Sequence, residues 1–455
     1  MKAPARGSAA SSSLPRVVAA SLIGTTIEWY DYFLYGTAAA LVFGKLFFPN
    51  TDPLTGTLLS FLTYAIGFAA RPIGALVFGH FGDRIGRKKL LVVSLLLMGG
   101  STTAIGLLPT YDSVGVAAPV LLTALRLVQG FALGGEWGGA VLLVSEHGDQ
   151  RRRGFWASWP QGGAPAGNLL AAGVLSLMTA VQSESAFLAW GWRVPFLLSA
   201  VLVGVGMWIR LAVEESPLFR QAVVNRPETE RAPLVGVLRY HWREVLVAMG
   251  ARMAENISYY VMTTFVLTYA VTRAHFDKQS ALNAVLIASA IQFALIPLFG
   301  ALSDRVGRKP VYLVGAAGVG VWAFVFFGMV DTRSFGALVA AVSVGLVFHS
   351  AMYAPQAAFF SELFATRLRY SGASIGAQFA SVAAGAPAPL IATALLKDYG
   401  SATPISVYVA VAAALTVLAV LCARETRGQD LAEVEKPAAD GATVERPAVA
   451  RESSR

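Results

Sequence analysis

The residues of this sequence most able to do chemistry are ionisable side chains inside long apolar runs. Glu28 and Asp31 lie three residues apart in the run that starts near Val17, and Arg126 and Glu136 lie in a later run. A charged side chain in hydrocarbon costs several kcal/mol unless it is paired or faces water, so each of these is a functional candidate. A buried carboxylate beside an arginine can change between protonated and charged forms, which is the chemistry of proton coupling.

The depths of these residues predict which of them meet. At 1.5 Å per residue, Asp31 lies about 21 Å above Val17, whereas Arg126 lies about 10 Å below the opposite edge. In a hydrocarbon core about 30 Å thick the two depths coincide. We predict an ion pair between Asp31 and Arg126, with Glu28 one turn below Asp31 and Glu136 lower still. A static pair that only holds two helices together is the alternative.

Composition places these residues in a membrane protein. The chain has 455 residues, of which 55% are hydrophobic and only 14% charged, whereas a soluble domain carries roughly 25% charged residues. The apolar runs lack the short alternation of barrel strands, so the fold class is an all-α membrane protein. The net charge of +9 comes from short basic clusters between the runs, which indicates topology and not nucleic-acid binding. With a single cysteine, Cys422, the sequence offers no cysteine metal site.

Twelve apolar runs are long enough to be transmembrane helices. The predicted spans are residues 17–43, 57–79, 90–108, 119–144, 155–180, 190–211, 245–271, 281–302, 311–330, 336–360, 372–396 and 404–423. Basic clusters occur on every second loop, which predicts that both termini are cytoplasmic. Residues 1–16 are then a cytoplasmic N-terminus, 17–211 and 245–423 two bundles of six helices, 212–244 a cytoplasmic linker, and 424–455 a disordered tail.

An internal repeat relates the two bundles. The segment Gly79–Lys88 recurs as Gly300–Lys309, and 221 residues separate Asp83 from Asp304. Each copy follows the second helix of its half, so the chain consists of two similar halves.

The repeat brings a second set of candidates forward. At the same offset from Asp31 stands Arg252, with Glu255, Asn256 and Tyr259 nearby on its helix. An arginine presents a planar fork suited to a substrate carboxylate, although Arg252 and Glu255 could simply neutralise each other. The predicted tenth helix, counterpart of the fourth, carries His349, Tyr353 and Gln356, which can hydrogen-bond a polar substrate. Tyr32 and Gln129 complete the predicted substrate site.

Several motifs together carry a resemblance to a known family. They are both copies of the repeated loop, Ile27–Asp31, Arg71–Gly74, Arg126–Gly130, Gly134–Gly139 and Arg369–Gly372. In this combination the chain resembles the metabolite:proton symporter family of the major facilitator superfamily, and Leu34–Phe43 looks closest to its shikimate branch. The resemblance implies two pseudo-symmetric six-helix bundles, a central cavity lined by the first helix of each half, and transport by alternating access. Members carry shikimate, α-ketoglutarate, citrate, or proline and betaine.

The resemblance also implies a gate. In that family the aspartate of the repeated loop and its basic neighbours hold the cytoplasmic helix ends together in the outward-facing state. The residues at the matching positions are Arg71, Gly79, Asp83, Arg84, Gly86, Arg87, Asp304, Arg305 and Arg308. The basic residues would also serve topology alone, but topology does not require Gly79, Asp83 and Gly86 at this spacing twice.

These features favour a proton-driven symporter in the bacterial inner membrane, acting as a monomer without a cofactor. An antiporter, an exporter or a passive facilitator of the same fold remains the alternative. We expect no enzyme, because the sequence contains neither a serine elbow nor a His–carboxylate metal motif. The expected partners are therefore protons, a small polar metabolite and lipid, with no nucleic acid.

Overall fold

Twelve helical segments, α1 to α12, run through the part of the chain that the structure describes. That part of the computed structural model comprises residues 14–75, 77–78, 87–134, 150–212, 242–363, 379–385 and 387–428, and it contains no strand. The first six segments are α1 (Leu14–Ala38, then a π-helical turn Ala39–Phe43 and Gly44–Phe47), α2 (Pro53–Ala75), α3 (Arg87–Gly106), α4 (Ala117–Leu133), α5 (Arg153–Gln161 and Gly163–Val181) and α6 (Arg193–Ala212).

The second six follow the same order. They are α7 (Trp242–Tyr260, then a π-helical turn Val261–Phe265 and Val266–Thr272), α8 (Lys278–Val306), α9 (Arg308–Asp331), α10 (Phe335–Leu363), α11 (a π-helical turn Ser381–Gly385 and Ala388–Tyr399) and α12 (Thr403–Cys422). Short turns Tyr111–Val114, Gln150–Arg152, Glu184–Ala186 and Phe187–Gly191 precede α4, α5 and α6.

The lengths and compositions of these helices fit a bilayer. Among the described residues six helices, α2, α5, α8, α9, α10 and α12, are long and apolar enough to cross a membrane, and a seventh candidate is the pair Glu184–Gly191 and Arg193–Trp208, bent by 43°. The polar and ionisable side chains of α1 and α7, Glu28, Asp31, Arg252 and Glu255 among them, lower the hydropathy of those two helices. The predicted all-helical membrane fold with two similar halves is confirmed.

Each half is a bundle, and the bundles meet along several helix pairs. Within the first half α1 packs on α5 and α6, α3 on α6, and α4 on α2 and α3. Within the second half α9 packs on α10 and α12, α8 on α10, and α7 on α12. The halves meet where α5 packs on α8 and α10, α2 on α11, and α1 on α7. Hydrogen bonds from Asn168 Nδ2 to Ser289 Oγ (3.1 Å) and from Ser176 Oγ to Asn283 Oδ1 (2.7 Å) join α5 to α8.

The sequence repeat extends to irregularities of the helices. The π-helical turns of α1 and α7 lie at nearly the same position of the repeat, and the break of α5 at Gly162 corresponds to the π-helical turn of α11. Two aspartates cap equivalent helices, because the N–H of Thr55 donates to Asp52 at the start of α2 and the N–H of Ser280 donates to Asp277 at the start of α8. π-Helical turns are rare and are frequently found at functional sites, which makes α1 and α7 candidates to carry the site.

Two ends of the bundle are defined by the chain. We call the end that carries Leu14 and Cys422 the terminal face, and the end that carries the connections 48–52, 182–192 and 273–277 the distal face. Gly79, Asp83, Arg84, Gly86 and Glu136 lie outside the described residues, as does most of the predicted linker 212–244. Arg87 begins α3, and the structure describes only its backbone.

The contact between α2 and α4 depends on glycine. A Cβ atom on Gly130 would overlap the carbonyl group of Gly67, and one on Gly74 would overlap that of Phe131. A Cβ on Gly67 would lie 2.7 Å from Cγ of Arg126. Close backbone approach between membrane helices requires such small residues, and here it fixes the height and direction of the Arg126 side chain.

We expect Gly130→Ala to separate α2 from α4 and to lower the melting temperature of the purified protein by several degrees. Overpacking of a close contact costs about 1–3 kcal/mol. The matched control is Gly100→Ala on α3, where nothing lies within 4 Å of the added Cβ. Scanning fluorimetry of both variants decides the matter, and equal melting temperatures would show that the close approach is not required.

Candidate functional site

Asp31 lies buried in α1, held from one side. Its exposed fraction is 1%, and the hydroxyl of Ser199 on α6 donates a hydrogen bond to Oδ1. Oδ2 has no hydrogen-bond partner among the described residues. A buried carboxylate with one satisfied oxygen has a free acceptor for a proton or a donor group.

Arg126 points from α4 toward the same region. Its Nη1 donates to Oε1 of Gln129 (2.9 Å), and Nε2 of Gln129 donates to Thr102 Oγ1 (2.6 Å). The guanidinium carbon lies 4.4, 4.6 and 5.1 Å from the ring centroids of Tyr35, Tyr64 and Tyr32. Three aromatic faces therefore replace part of the water that a cation loses on burial.

The predicted direct ion pair between Asp31 and Arg126 is wrong in this conformation. Asp31 is engaged by Ser199 and Arg126 by Gln129, and the two side chains share a cavity without an ion pair. Depth along the membrane normal was predicted correctly, since both line one cavity. The direction of each side chain around its helix is decided by packing, which the depth argument does not contain.

Arg71 occupies an unexpected position. Family resemblance places it near the gate loop, but its side chain is 5% exposed and lines the same cavity as Asp31 and Arg126. Its guanidinium carbon lies 3.9 Å from the ring centroid of Phe68 and 4.8 Å from that of Tyr32. The Arg71 side chain is thus directed into the bundle, and its gating role stays a prediction.

The space enclosed by these side chains is named the N-half cavity. It has room for about one water molecule. Its lining residues are Asp31, Tyr32, Gly67, Arg71, Met98, Arg126, Gln129, Gly130 and Leu133. Two arginines and one aspartate give it a formal charge of +1 when Asp31 is ionised. Glu28, three residues before Asp31, is half-buried and is not among these lining residues.

A second polar cluster lies in the other half and is named the C-half network. Glu255 on α7 lies 3.3 Å from Nε of Arg252 through Oε2 and 3.5 Å from Nε2 of His349 through Oε1. Nε2 of Gln356 donates to Glu255 Oε2 (3.2 Å), and so does Nδ2 of Asn256 (2.9 Å). The network brings together five predicted substrate residues, with Arg252 neutralised by Glu255.

Aromatic rings join the two clusters. Tyr259 and Tyr353 lie against the His349 ring, with centroids 4.7 and 5.2 Å apart. Tyr260, next along α7, lies 5.9 Å from Tyr32 of the N-half cavity. The first helix of each half thus contributes to one continuous polar and aromatic core. No α7 residue lines the N-half cavity, so a central cavity lined by both first helices stays a prediction.

Sequence reasoning missed several partners in this core. Gln292 on α8 lies 2.8 Å from Nδ1 of His349, and the Tyr312 hydroxyl lies 3.1 Å from Gln356 Nε2. Ser199 and Tyr64 were also passed over. An uncharged polar residue inside an apolar run was the available signal for Gln292, but isolated serines and tyrosines in such runs carry little information. No three His, Cys, Asp or Glu side chains form a metal-ligand group in the described ranges.

The terminal face is closed by a buried ionic cluster of Arg153, Asp304, Arg308 and Glu362. The two oxygens of Asp304 accept the N–H groups of Gly154 and Phe155 at the start of α5, both at 2.8 Å. Nη1 of Arg308 also reaches Asp304 (2.7 Å), and its Nη2 reaches Glu362 (3.2 Å). The Nη1 of Arg153 lies 3.0 Å from Glu362, so the cluster joins the halves. Arg305, a predicted gate residue, is exposed.

The residues after α12 belong to this cluster. Glu425 accepts the N–H groups of Arg308 and Lys309 at the start of α9, both at 3.0 Å, and Thr426 Oγ1 donates to Glu362 (2.7 Å). Gly307 has φ +118°, and a Cβ there would lie 2.9 Å from Glu425 Oε2. The predicted tail begins too early, because residues 424–428 pack on the terminal face; residues 429–455 lie outside the described part.

The distal face is closed by exposed pairs. Glu184 lies 3.1 Å from Lys45 and 3.0 Å from Lys278, and Asp52 lies 3.7 Å from Lys397. Lys278 and Lys397 belong to the second half and their partners to the first. The described residues of the two halves are therefore in contact at both faces.

Comparison with known proteins finds similarity to transporters throughout. The profile described as sugar (and other) transporter matches residues 17–234 and 228–437. The chain is 40% identical to the inner membrane metabolite transport protein YhjE of Escherichia coli strain K12, over 92% of this chain and 96% of that protein. It is 36% identical to the shikimate transporter of the same strain, over 93% of this chain and 98% of that protein.

A solved structure supports the fold. The crystal structure of a D-xylose-proton symporter superposes with a TM-score of 0.71 at 18% identity, over 92% of this chain and all of that one. At this identity the likeness concerns the fold alone, and it agrees with two six-helix halves.

We expect Asp304→Asn to loosen the terminal face. The amide of asparagine keeps one oxygen, which can still accept one of the two backbone N–H groups. Its NH₂ group would face the other backbone N–H, so that hydrogen bond is lost. Hydrogen bonds to charged groups contribute roughly 1.5–3 kcal/mol, so the closed state should lose about tenfold or more in population. The measurement is maleimide labelling of Ser158→Cys, a buried site on α5, in a Cys422→Ser background. Asp331→Asn, which loses only contacts with Tyr269 within the second half, is the control; unchanged labelling in Asp304→Asn would contradict the role.

We expect the distal face to respond weakly to salt and not to mild acid. Hydrogen bonds from Lys278 and Lys45 lower the pKa of Glu184 to about 2. A lowered pKa contributes stability above the ordinary value, about 4.5, which is lost only as pH falls through about 2. Maleimide labelling of Thr268→Cys in the same background is divided by that of the denatured variant at the same pH, because maleimide reacts with the thiolate, whose fraction falls with pH. This ratio should be equal at pH 7 and pH 5, and it should rise less than about fivefold at high salt, since exposed pairs contribute about 0.2–1 kcal/mol. Glu184→Gln should reduce the salt response to that of the remaining Asp52–Lys397 pair, and a response equal to that of the unsubstituted background would refute this account.

Proposed function

The chain belongs to the sugar (and other) transporter family of the major facilitator superfamily, and from this premise we propose that it is a proton-coupled symporter that imports a small polar metabolite. The chain is a transporter and not an enzyme, as its relatives and its fold are those of transporters. The proposed substrate is an organic acid such as shikimate or a dicarboxylate, or a zwitterionic osmolyte such as proline or betaine.

The observation that carries the proposal is Asp31 in the N-half cavity beside Arg71 and Arg126. With Asp31 ionised, the three groups sum to +1, and with Asp31 protonated they sum to +2. Binding a monoanion and a proton together therefore leaves the charge of the cavity unchanged. Because charge is expensive in a region of low dielectric, this balance favours joint movement of proton and anion over movement of either alone.

Alternating access is supported by the contacts at the two faces. The terminal-face cluster and the distal-face pairs both join the halves, and each uses different side chains. One set can therefore break while the other stays intact, which is the requirement for a rocking motion about a fixed central site. The gate roles of Asp304 and Arg308 follow from this arrangement, and those of Asp83, Arg84 and Arg87 are proposed from the repeat.

The central site is proposed to take the substrate between the halves. Tyr32 and Gln129 line the N-half side, and Asn256, Tyr259, His349, Tyr353 and Gln356 form the opposing side. Glu28 and Glu136 are proposed to assist Asp31 in moving the proton. Glu28 lies on α1 with Asp31, and Glu136 follows α4 in the sequence, outside the described residues. Glu255 contacts His349, and its pairing with Arg252 adds no net charge to that side of the proposed site.

The proposed location is the bacterial inner membrane, with both termini in the cytoplasm and the monomer as the working unit. The relative YhjE is named an inner membrane protein. Basic clusters of the loops support the orientation through the positive-inside rule. The terminal face is then cytoplasmic, and the distal face is periplasmic.

We expect one compound among shikimate, α-ketoglutarate, citrate, proline and betaine to accumulate in proteoliposomes that carry an inward proton gradient. A protonophore should abolish the accumulation, because the proton supplies the energy. Equilibration that ignores the protonophore would indicate a facilitator, and proton-driven efflux an antiporter or exporter; either outcome refutes symport.

We expect Asp31→Asn to abolish proton-driven accumulation, with a loss of at least tenfold, because an amide cannot carry the proton. Substrate counterflow without a gradient should be less affected, since it needs no net proton movement. The control is Asp112→Asn, an exposed carboxylate on the distal face. Normal insertion with full proton-driven uptake in Asp31→Asn would exclude Asp31 as the coupling residue.

A further inference from the structure

Three arginines are buried within membrane-spanning helices near the centre of the bundle, and they differ in how their charge is balanced. Arg252 has Glu255 at 3.3 Å on its own helix. Arg71 and Arg126 are 5% and 3% exposed, and no carboxylate in the described part of the chain lies within ion-pair distance of either. Nε of Arg126 also has no hydrogen-bond partner among the described residues.

The two unbalanced guanidinium groups face the same place. Arg71 and Arg126 both line the N-half cavity, and their guanidinium carbons lie 4.8 and 5.1 Å from the centroid of the Tyr32 ring. Two like charges held close together in a buried region repel each other and are costly to keep there. Aromatic faces reduce this cost but cannot cancel a formal charge.

The chemistry of these groups defines the ligand that would balance them. A guanidinium is planar and donates parallel N–H bonds to the two oxygens of a carboxylate. Two guanidinium groups on different helices, α2 and α4, can donate hydrogen bonds to both oxygens of one carboxylate from two directions. A hydroxyl or a neutral amide would leave the charges in place.

We propose that Arg71 and Arg126 form the subsite that binds the carboxylate of the transported substrate, which rests on the proposed function as a metabolite symporter. Arg252, the anchor expected from the sequence, is already neutralised, and the C-half network is left to contact the rest of the substrate. All substrates named above, acids and zwitterions alike, carry a carboxylate that this subsite can bind. Uncharged sugars are excluded.

Packing keeps the subsite in position. The Arg126 side chain lies against Gly67, where a Cβ would approach Cγ to 2.7 Å, and Gln129 holds its Nη1. Arg71 stacks on Phe68, one turn away on the same helix. Both groups are held before substrate arrives, so little conformational entropy is lost on binding.

The test is equilibrium binding to purified protein without a proton gradient. Each probe is paired with a compound whose carboxylates are replaced by uncharged esters or an amide, called here its neutral counterpart: shikimate with its methyl ester, α-ketoglutarate with its dimethyl ester, citrate with its trimethyl ester, and proline with prolinamide. We expect at least one carboxylate to bind the wild type, measured by calorimetry, and its counterpart to bind at least tenfold more weakly. Loss of a charge-assisted hydrogen bond corresponds to about ten- to hundredfold in affinity.

Variants locate the effect. Arg71→Gln and Arg126→Gln should each weaken binding of the carboxylate at least tenfold and narrow the preference for it over the neutral counterpart. Arg71→Lys and Arg126→Lys keep the charge without the fork, so they should lose less and serve where a glutamine variant does not fold. Arg243→Gln, which removes an exposed arginine at the start of α7, should bind like the wild type.

The outcomes separate this inference from the proposed function. Equal binding of acid and neutral counterpart, unchanged affinity in folded Arg71 and Arg126 variants, or no carboxylate bound at all overturns the subsite. Carboxylate binding that depends on both arginines, with no proton-driven uptake, supports the subsite and removes symport. Proton-driven uptake of a compound whose neutral counterpart binds equally removes the subsite and leaves symport.

Discussion

The constraint that organises this molecule is the cost of charge in a bilayer. Every ionised side chain inside a span must find a partner, water or an aromatic face, and the two halves meet this demand differently. The C-half network balances Arg252 with Glu255 on the same helix and surrounds the pair with His349 and Gln356. The N-half cavity holds Arg71 and Arg126 against aromatic rings and leaves Asp31 the single carboxylate among its lining residues. Arg252 is thus neutralised within the C-half network, whereas the N-half cavity has two arginines and one aspartate and keeps a net positive charge.

The two faces of the bundle follow from the same constraint. At the terminal face Arg308 and Glu362 are 1% and 0% exposed, so separating them transfers buried charge to a new environment. At the distal face Glu184 is 64% exposed, and its pairs are screened by solvent and salt. Breaking the distal pairs therefore costs less free energy than breaking the terminal-face cluster. Opening of the terminal face requires a compensating interaction, and Glu425 and Thr426 already contribute to holding it closed.

Much of the fold could be predicted from the sequence. The length of an apolar run and the charge of a loop each depend on many residues, so one atypical residue does not change the prediction. Twelve runs gave twelve helices, and the spacing of Asp83 and Asp304 revealed the repeat that the π-helical turns of α1 and α7 also follow. The site was readable only in part. Depth placed Asp31 and Arg126 at one level, but the direction of a side chain around its helix depends on contacts such as Gly130 with Gly67. For the same reason Arg71 was assigned to the gate, and Ser199 and Gln292, which carry no charge, were not recognised.

In the proposed symport, restraint of the side chains in the N-half cavity would let one proton control the affinity for an anion. Gly67 and Gly130 bring α2 and α4 into backbone contact, and Gln129 and the tyrosines restrain the Arg126 guanidinium from several sides. Asp31 is restrained by Ser199. Protonation of Asp31 then changes the charge of the cavity without needing a rearrangement of the arginines, so its effect is purely electrostatic and immediate. In a region of low dielectric a change of one unit charge at such short range is large compared with thermal energy. A cavity whose arginines are held in place and whose charge changes with protonation is suited to make anion affinity depend on the proton, which is the thermodynamic coupling that the proposed symport requires.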